Sequence, residues 1–442
     1  MRPVTVDEAL ETIGIGPFHY RLLAIFGLVW AADAMQVLAI GFAAPSLAAT
    51  FGLTVPQAIQ AGTVFFLGML LGAWGFGRLA DRVGRRRVLI FTVLIDAVFG
   101  LASVFAHDFT LLLALRLLTG IGVGGTLPVD YAMMAEFLPA RRRGRWLVAL
   151  EGFWAVGTIL VALAAWAANL WAGDQAWRWL FAATALPAVI GFWLRLWLPE
   201  SPHWLLHRGE ERQARAVLDR IAGSNGQVPS TPPLVATPRQ RARLRDLLGS
   251  GLRERTLLIL AAWLLVSTAY YGVFIWLPGR LVTEGHGYVR GYGFLVLLAL
   301  AQLPGYALAA LGIETIGRRP TLVAFLAASA AGCLLFTVAE QPGWVATALL
   351  AMSLALLGTW GALYAYTPEL YPTALRATGM GTAGAMARVG GLLAPSAIAL
   401  VIGASFELAI GLFAALLLLA ALAVSRIDLE TKGRPLDQTV AA

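Results

Sequence analysis

The chain has 442 residues, of which 59% are hydrophobic and only 13% charged, with a mean hydropathy of +0.74. Soluble domains carry roughly a quarter charged residues, so this composition excludes an ordinary soluble enzyme or binding domain and points to a polytopic membrane protein. The net charge of +8 rests almost wholly on arginines at the ends of apolar runs, with Lys432 the only lysine, which is a pattern of membrane topology rather than of nucleic-acid binding.

One helix needs roughly 20 apolar residues to cross the hydrocarbon core, so the length holds about a dozen spans. The single cysteine, Cys333, excludes a disulfide framework and a cysteine metal site. No nucleophile set, metal set or nucleotide loop appears, so neither an enzyme nor a cofactor is expected. The first apolar run is too long for a cleaved signal and follows Asp7, Glu8 and Glu11, so it is expected to remain as the first span.

In chain order, residues 1–19 read as a short amphipathic N-terminal segment. Apolar runs then predict spans at about 20–49, 57–80, 87–106, 109–137, 144–171 and 177–198, an N-terminal six-helix bundle over 20–198. Residues 199–253 turn polar: 203–222 alternate apolar and charged positions at helical spacing, then a Ser/Pro/Gly stretch and a basic run, Arg239 to Arg245, follow. Six more spans fall at about 255–283, 291–312, 319–339, 343–367, 374–402 and 406–426, a second bundle over 254–426, with a polar tail at 427–442. Counting arginines by loop puts both termini and the linker on the cytoplasmic side of a cell (inner) membrane.

The chain also contains itself twice. The loop Gly77-Arg78-Leu79-Ala80-Asp81-Arg82-Val83-Gly84-Arg85-Arg86-Arg87 is echoed at Gly312-Ile313-Glu314-Thr315-Ile316-Gly317-Arg318-Arg319, with Asp81 and Glu314, Gly84 and Gly317, and Arg85 and Arg318 each 233 positions apart. The same offset relates Trp30 to Trp263, Pro45 to Pro278, Gly125 to Gly358, Tyr131 to Tyr364, Glu136 to Glu369 and Arg143 to Arg376. Two like halves imply a pseudo-twofold axis along the membrane normal and a site at the midplane between them.

These motifs resemble the major facilitator superfamily over essentially the whole chain. The loop at 77–87 is similar to that family's loop between spans two and three, and Arg116-Leu117-Leu118-Thr119-Gly120-Ile121-Gly122-Val123-Gly124-Gly125 to its fourth-span motif. Pro199-Glu200-Ser201-Pro202 and Glu430-Thr431-Lys432-Gly433-Arg434 resemble sugar-porter ends of spans six and twelve. Gly14 to Phe18, Leu127-Pro128-Val129, Glu136-Phe137-Leu138-Pro139, Glu151-Gly152-Phe153-Trp154 and Glu369-Leu370-Tyr371-Pro372 resemble the branch holding bacterial niacin transporters, synaptic vesicle glycoproteins and organic cation and anion transporters. Asp33-Ala34-Met35-Gln36 also looks like aromatic-acid:proton symporters, with Gln36 where those usually have an acid. The resemblance implies an all-α membrane protein of twelve helices in two six-helix bundles, working by rocker-switch alternating access.

Ionisable groups near the bilayer centre cost about 2.5 to 3.5 kcal/mol on insertion scales and need a partner or a wet cavity. Arg388, well inside span eleven, can hold a carboxylate with two parallel hydrogen bonds and would repel a cation; its alternative is a permanent internal ion pair. The resemblance adds that anion transporters of the branch tend to carry arginine at this place. Asp33, with Asp130 and Glu151 behind it, is the candidate proton carrier, because a low dielectric favours the neutral form of a carboxylate. Asp96 reads as structural, and Arg116 with its glycines as helix packing.

Trp360 and Tyr364, Tyr270 and Tyr271, Tyr131 and Trp154 lie on spans four, five, seven and ten, and the resemblance implies that spans one, four, seven and ten line the cavity. A flat ring could stack there while Arg388, Gln302 and Gln36 fix its polar groups. Asp81 and Arg85, echoed by Glu314, Arg318 and Arg319, are expected to gate the cytoplasmic side across the seam between halves, with Glu136, Arg143, Glu369 and Arg376 as partners. The expected protein is a monomeric proton-coupled importer of a small organic anion, an aromatic monocarboxylate with nicotinate first. Other aromatic acids, organic cations or sugars are the alternatives within transport, and a non-transporting receptor-like membrane protein the alternative outside it.

Overall fold

A computed structural model of the chain describes residues 3–139, 142–228, 232–235, 244–249, 251–276, 291–402 and 406–432. Among these the only β pairing is an isolated parallel bridge between Val4 and Leu234, and the rest of the regular structure is helical. The first half comprises α1 (Val6–Ile13), α2 (Pro17–Phe51), α3 (Val55–Val83), α4 (Arg85–Ala102), α5 (Phe109–Glu136), α6 (Arg143–Ala172) and α7 (Ala176–Arg195). Two short linker helices follow, α8 (Pro202–His207) and α9 (Glu211–Ser224), in the stretch with helical spacing; Gly209, at φ 79°, turns the chain between them.

The second half comprises α10 (Arg253–Tyr271), extended by a π-helical turn at Gly272–Trp276, then α11 (Tyr292–Leu300), α12 (Gln302–Thr315), α13 (Arg318–Val338), α14 (Pro342–Glu369), α15 (Thr373–Ile402) and α16 (Phe406–Ser425). Helices α11 and α12 are one span, Tyr292–Thr315, broken at Ala301. Pro304, the third residue of α12, lacks the N–H that would bond back to Leu300. Ten stretches of the described helices are long and apolar enough to cross a membrane. One of them, Arg145–Arg195, holds both α6 and α7, and α15 adds a helix of 30 residues, which accounts for the twelve expected spans.

The helix pairings repeat between halves. In the first, α3 packs on α5, α4 on α5 and α7, and α2 on α6 and α7; in the second, α12 packs on α14, α13 on α14 and α16, and α10 on α15 and α16. The halves meet through α3 on α15 and through α6 on α11, contacts that the same pseudo-twofold exchanges. Close approach inside a half depends on small residues. A side chain at Gly122 would come within 2.7 Å of the Asp96 amide and 2.8 Å of the Thr92 carbonyl of α4, so α5 can lie against α4 only where no Cβ intervenes.

At the arginine-rich end each half is tied by one carboxylate. Glu200, beyond α7, accepts hydrogen bonds from the Arg85 and Arg86 amides at 3.1 and 3.2 Å. Glu430, beyond α16, accepts from the Arg318 and Arg319 amides, both at 3.0 Å. These are first-turn N–H groups of α4 and α13, which have no partner inside their own helix and favour a negative charge. Gly84 and Gly317 precede the two helices at φ 107° and 112°, a region open to glycine and strained for other residues.

Candidate functional site

Aromatic rings from both halves meet in the middle of the bundle. On α14, Trp360 and Tyr364 lie one turn apart with ring centres at 5.9 Å, and Trp263 of α10 sits 5.4 and 4.9 Å from them. Tyr270 of α10 lies 5.6 Å from Trp360 and 5.2 Å from Tyr271. The indole of Trp154 on α6 donates to the Tyr270 hydroxyl at 2.8 Å, a hydrogen bond across the halves. Tyr271 in turn packs at 4.6 Å on Phe66 of α3.

Toward the arginine-rich end a row of four rings runs through the axis: Trp30 to Tyr131 at 6.3 Å, Tyr131 to Tyr364 at 6.2 Å, and Tyr364 to Trp263. Its two ends are the repeat mates Trp30 and Trp263, and its middle the repeat mates Tyr131 and Tyr364. Toward the other end the halves touch at backbone level, where a Cβ on Gly41 of α2 would collide with the Ile275 carbonyl in the π-helical turn. The expected aromatic residues are therefore brought together, and Trp30, Trp263 and Tyr306 join them. The tryptophans were visible in the repeat, yet their direction was not.

Arg388 lies half-buried on α15 and donates to the Gly384 carbonyl at 2.9 Å; its Nε has no hydrogen-bond partner among the described residues. Glu151, on α6, is buried and within electrostatic reach of Arg388, with its Oε1 likewise unpartnered. Gln302 is fully buried at the start of α12, and neither its amide oxygen nor its nitrogen has a partner among the described residues. One helical turn on, Tyr306 lies in reach of Glu151, Tyr270 and Tyr271, so Gln302 shares the face that looks onto this group. Buried polar atoms are nearly always hydrogen-bonded, and unsatisfied ones on convergent helices mark where a polar ligand or water belongs.

The first half's other charges are arranged differently. Gln36, expected at the substrate, instead bridges two charged groups: its Nε2 donates to Asp96 at 3.1 Å and its Oε1 accepts from Arg116 at 2.9 Å. Both ends of the amide are thereby occupied away from the aromatic site. Arg116 also stacks over Phe181 at 4.6 Å, which fits the packing role expected of it. Asp130, expected as a proton carrier, is ion-paired with Arg195, both fully buried, and so is held by a fixed cation. Sequence reading missed Arg195, which at the end of span six looks like one more loop arginine. Asp33 is fully buried with both oxygens unpartnered among the described residues, in electrostatic reach of Asp96, Asp130, Arg195 and Arg388.

Among the described residues, the expected gate groups have these partners in this conformation. Arg85 binds Glu136 at 2.8 Å in the first half, and Arg318 binds Glu369 at 3.1 Å in the second. Arg143 binds Asp7 of α1 at 2.7 Å, so its partner is the N-terminal helix and not the other half. Arg376 donates to the Pro368 carbonyl at 3.0 Å, and Glu314 is exposed. The Asp81 side chain lies outside the described residues. A cleft of about 200 Å³ opens among Asp7, Arg85, Glu136, Arg143, His203 and His207, away from the aromatic site. Burial pushes the His203 imidazole of α8 down to about 4, so it is neutral at neutral pH.

Comparison with known proteins places this arrangement. The sugar (and other) transporter family matches residues 40–441. The niacin transporter NiaP of Acinetobacter baylyi is 35% identical over 97% of this chain and 98% of its own length. The synaptic vesicle 2-related protein of Xenopus laevis is 33% identical over 98% of this chain and 82% of its own. Among solved structures, the inward open conformation of the xylose transporter XylE from E. coli superposes with a TM-score of 0.75 at 19% identity, covering 96% of this chain and 99% of that one. The family, the NiaP relative and the XylE structure are named as transporters, not enzymes. The chain belongs to the sugar (and other) transporter family of the major facilitator superfamily, a multi-pass membrane transporter of a small molecule.

Proposed function

We propose that the protein imports a small aromatic monocarboxylate together with a proton, with nicotinate the first candidate. The observation that carries this reading is Arg388, half-buried with its Nε unpartnered among the described residues, in a bundle whose central rings come from both halves. A guanidinium fixes a planar carboxylate by two parallel hydrogen bonds, the rings of Trp360, Tyr364 and Tyr270 offer faces to a flat substrate, and the unpartnered Gln302 amide can donate to a ring nitrogen. Kinship with a niacin transporter over nearly the whole chain supports nicotinate among aromatic acids. Asp33 and Glu151 are buried carboxylates with an oxygen that has no partner among the described residues, and either can carry the proton.

In this reading the two bundles, 20–198 and 254–426, rock about the axis as a monomer, and the arginine-rich end with both termini faces the cytoplasm. One proton with one carboxylate carries no net charge, so uptake follows the pH gradient rather than the voltage, which acts on net charge at about 2.3 kcal/mol per 100 mV. The test is uptake of labelled nicotinate into proteoliposomes under an imposed pH gradient, with nicotinamide as the uncharged competitor. Arg388→Ala is expected to abolish uptake. Full activity in that variant sinks the site, and no uptake by the wild type sinks the substrate.

A further inference from the structure

Two arginines far apart in the chain meet at one tryptophan. Trp197, two residues beyond α7 and half-buried, has the Arg21 guanidinium of α2 at 5.3 Å from its ring centre and the Arg220 guanidinium of α9 at 4.7 Å. The two cations therefore lie within about 10 Å of each other, both drawn to the same ring. Arg220 also donates to the Trp197 carbonyl at 3.2 Å, and Arg86 of α4 donates to the carbonyls on either side, those of Leu196 and Leu198. Arg21 and Arg220 are exposed, and neither has a carboxylate partner among the described residues. The neighbouring acids are directed elsewhere. Glu200 is occupied by the Arg85 and Arg86 amides, Glu211 lies on the opposite face of α9 from Arg220, and Asp219 projects about 100° around that helix from it.

Toward the bilayer, α7 turns an apolar stripe outward. Leu186, Ile190 and Trp193 are exposed and follow one another at helical spacing up to Trp197, and exposed Tyr20 precedes Arg21. Such side chains at a span's end face acyl chains, with the aromatic ones at headgroup level. The second half has no copy of this corner: the repeat mate of Arg21 is Glu254, and Trp197, three before Glu200, corresponds to Ile427, three before Glu430. We propose that the corner binds an anionic phospholipid from the leaflet at the arginine-rich end. Its phosphate sits between Arg21 and Arg220, held by charge-assisted hydrogen bonds, and an acyl chain runs along the Leu186, Ile190 and Trp193 stripe. Basic clusters at the end of a span favour anionic headgroups, and the ammonium of a zwitterionic lipid is repelled by the same two cations. The bound lipid joins α2, α7 and the linker helix α9, adding to the tie in which Asn225 accepts from the Phe18 amide at 3.2 Å. The site is independent of which substrate the carrier takes.

The test is native mass spectrometry of the full chain released from detergent micelles, titrated with phosphatidylglycerol or with phosphatidylcholine. Wild type is expected to hold phosphatidylglycerol about tenfold more tightly than phosphatidylcholine. Arg21→Gln and Arg220→Gln are each expected to weaken phosphatidylglycerol binding about tenfold or more, as loss of a charged hydrogen bond does. Arg208→Gln removes an exposed arginine stacked on a different ring, Trp204, at 5.2 Å, and is expected to leave binding unchanged. Arg21 makes no hydrogen bond to the described residues, so its variant stays informative even where Arg220→Gln loosens α9; unfolding temperature in lipid-free detergent checks both. Unchanged binding in either cluster variant, equal weakening in Arg208→Gln, or equal retention of the two lipids by wild type overturns the site. Displacement of phosphatidylglycerol by millimolar inorganic phosphate assigns the arginines to a free anion and overturns the lipid.

Discussion

The two halves share their helix pairings but not their interiors. The first half buries Asp33, Gln36, Asp96, Arg116, Asp130 and Glu151, while the positions 233 further on are Val266, Ala269, Ser329, Leu349, Leu363 and Gly384. Where Arg116, Gln36 and Asp96 tie α5, α2 and α4 together by charge-assisted hydrogen bonds, the second half packs Leu349 and Ala269 and pairs only hydroxyls, Ser329 with Thr359 at 3.4 Å. The same six-helix arrangement is therefore reached with and without buried charge. The fully buried charges lie in the first half, and the second half holds Arg388 and most of the rings.

The sharpest way to break this comparison is to orphan a charge. Asp130→Ala leaves Arg195 fully buried with its ion-pair partner removed, and is expected to lower stability by about 3 to 5 kcal/mol, read as thermal unfolding in detergent. Asp130→Leu with Arg195→Leu is expected to recover most of it, as the second half does with Leu363; a double variant no better than the single one contradicts the comparison. Next in size, Arg388→Lys keeps the charge and loses the paired geometry. A charged hydrogen bond contributes about 1.5 to 3 kcal/mol, so substrate uptake at limiting concentration is expected to fall more than about tenfold with the fold intact.

A smaller effect is expected from Ser329→Ala, the repeat mate of Asp96. Losing a weak hydroxyl contact changes stability by about 1 kcal/mol or less, whereas Asp96→Ala leaves Arg116 without its nearest anion; equal losses would mean that the two interiors are alike after all. The smallest concerns His203. Its folded value lies near 4 and its ordinary value at 6.5, so the fold favours the neutral ring. That preference is fully present above 6.5 and is lost as the pH falls through this window toward 4. His203→Gln is expected to flatten the acid side of the unfolding profile, and an unchanged profile would assign the acid sensitivity elsewhere.

Much of this was legible because topology and repetition are written in one dimension. Apolar run lengths located the spans, and the offset shared by Trp30 and Trp263, and by Tyr131 and Tyr364, marked the ring row before its geometry was known. Partner choice was less legible. Gln36 reads as a cavity residue from its place one turn after Asp33, but its partners come from α4 and α5, 60 and 80 positions away. The same holds for Arg195 and Asp130, whose pairing depends on helix rotation and crossing, which no local pattern encodes. The charged loop pairs were partly legible: Arg85 does meet Glu136 and Arg318 does meet Glu369, but each pair stays within its own half.

The carboxylates that tie each half also set an order of completion during synthesis. The amides at the start of α4 stay uncapped until Glu200 has been made, 115 residues after Arg85, and those of α13 until Glu430, 112 residues after Arg318. Each bundle thus closes only after its last helix has entered the membrane, and the second closes only when the chain has been translated past α16. A polypeptide halted just short of Glu430 has all its described helices and still lacks that clasp, so the start of α13 is left uncapped on the second half alone.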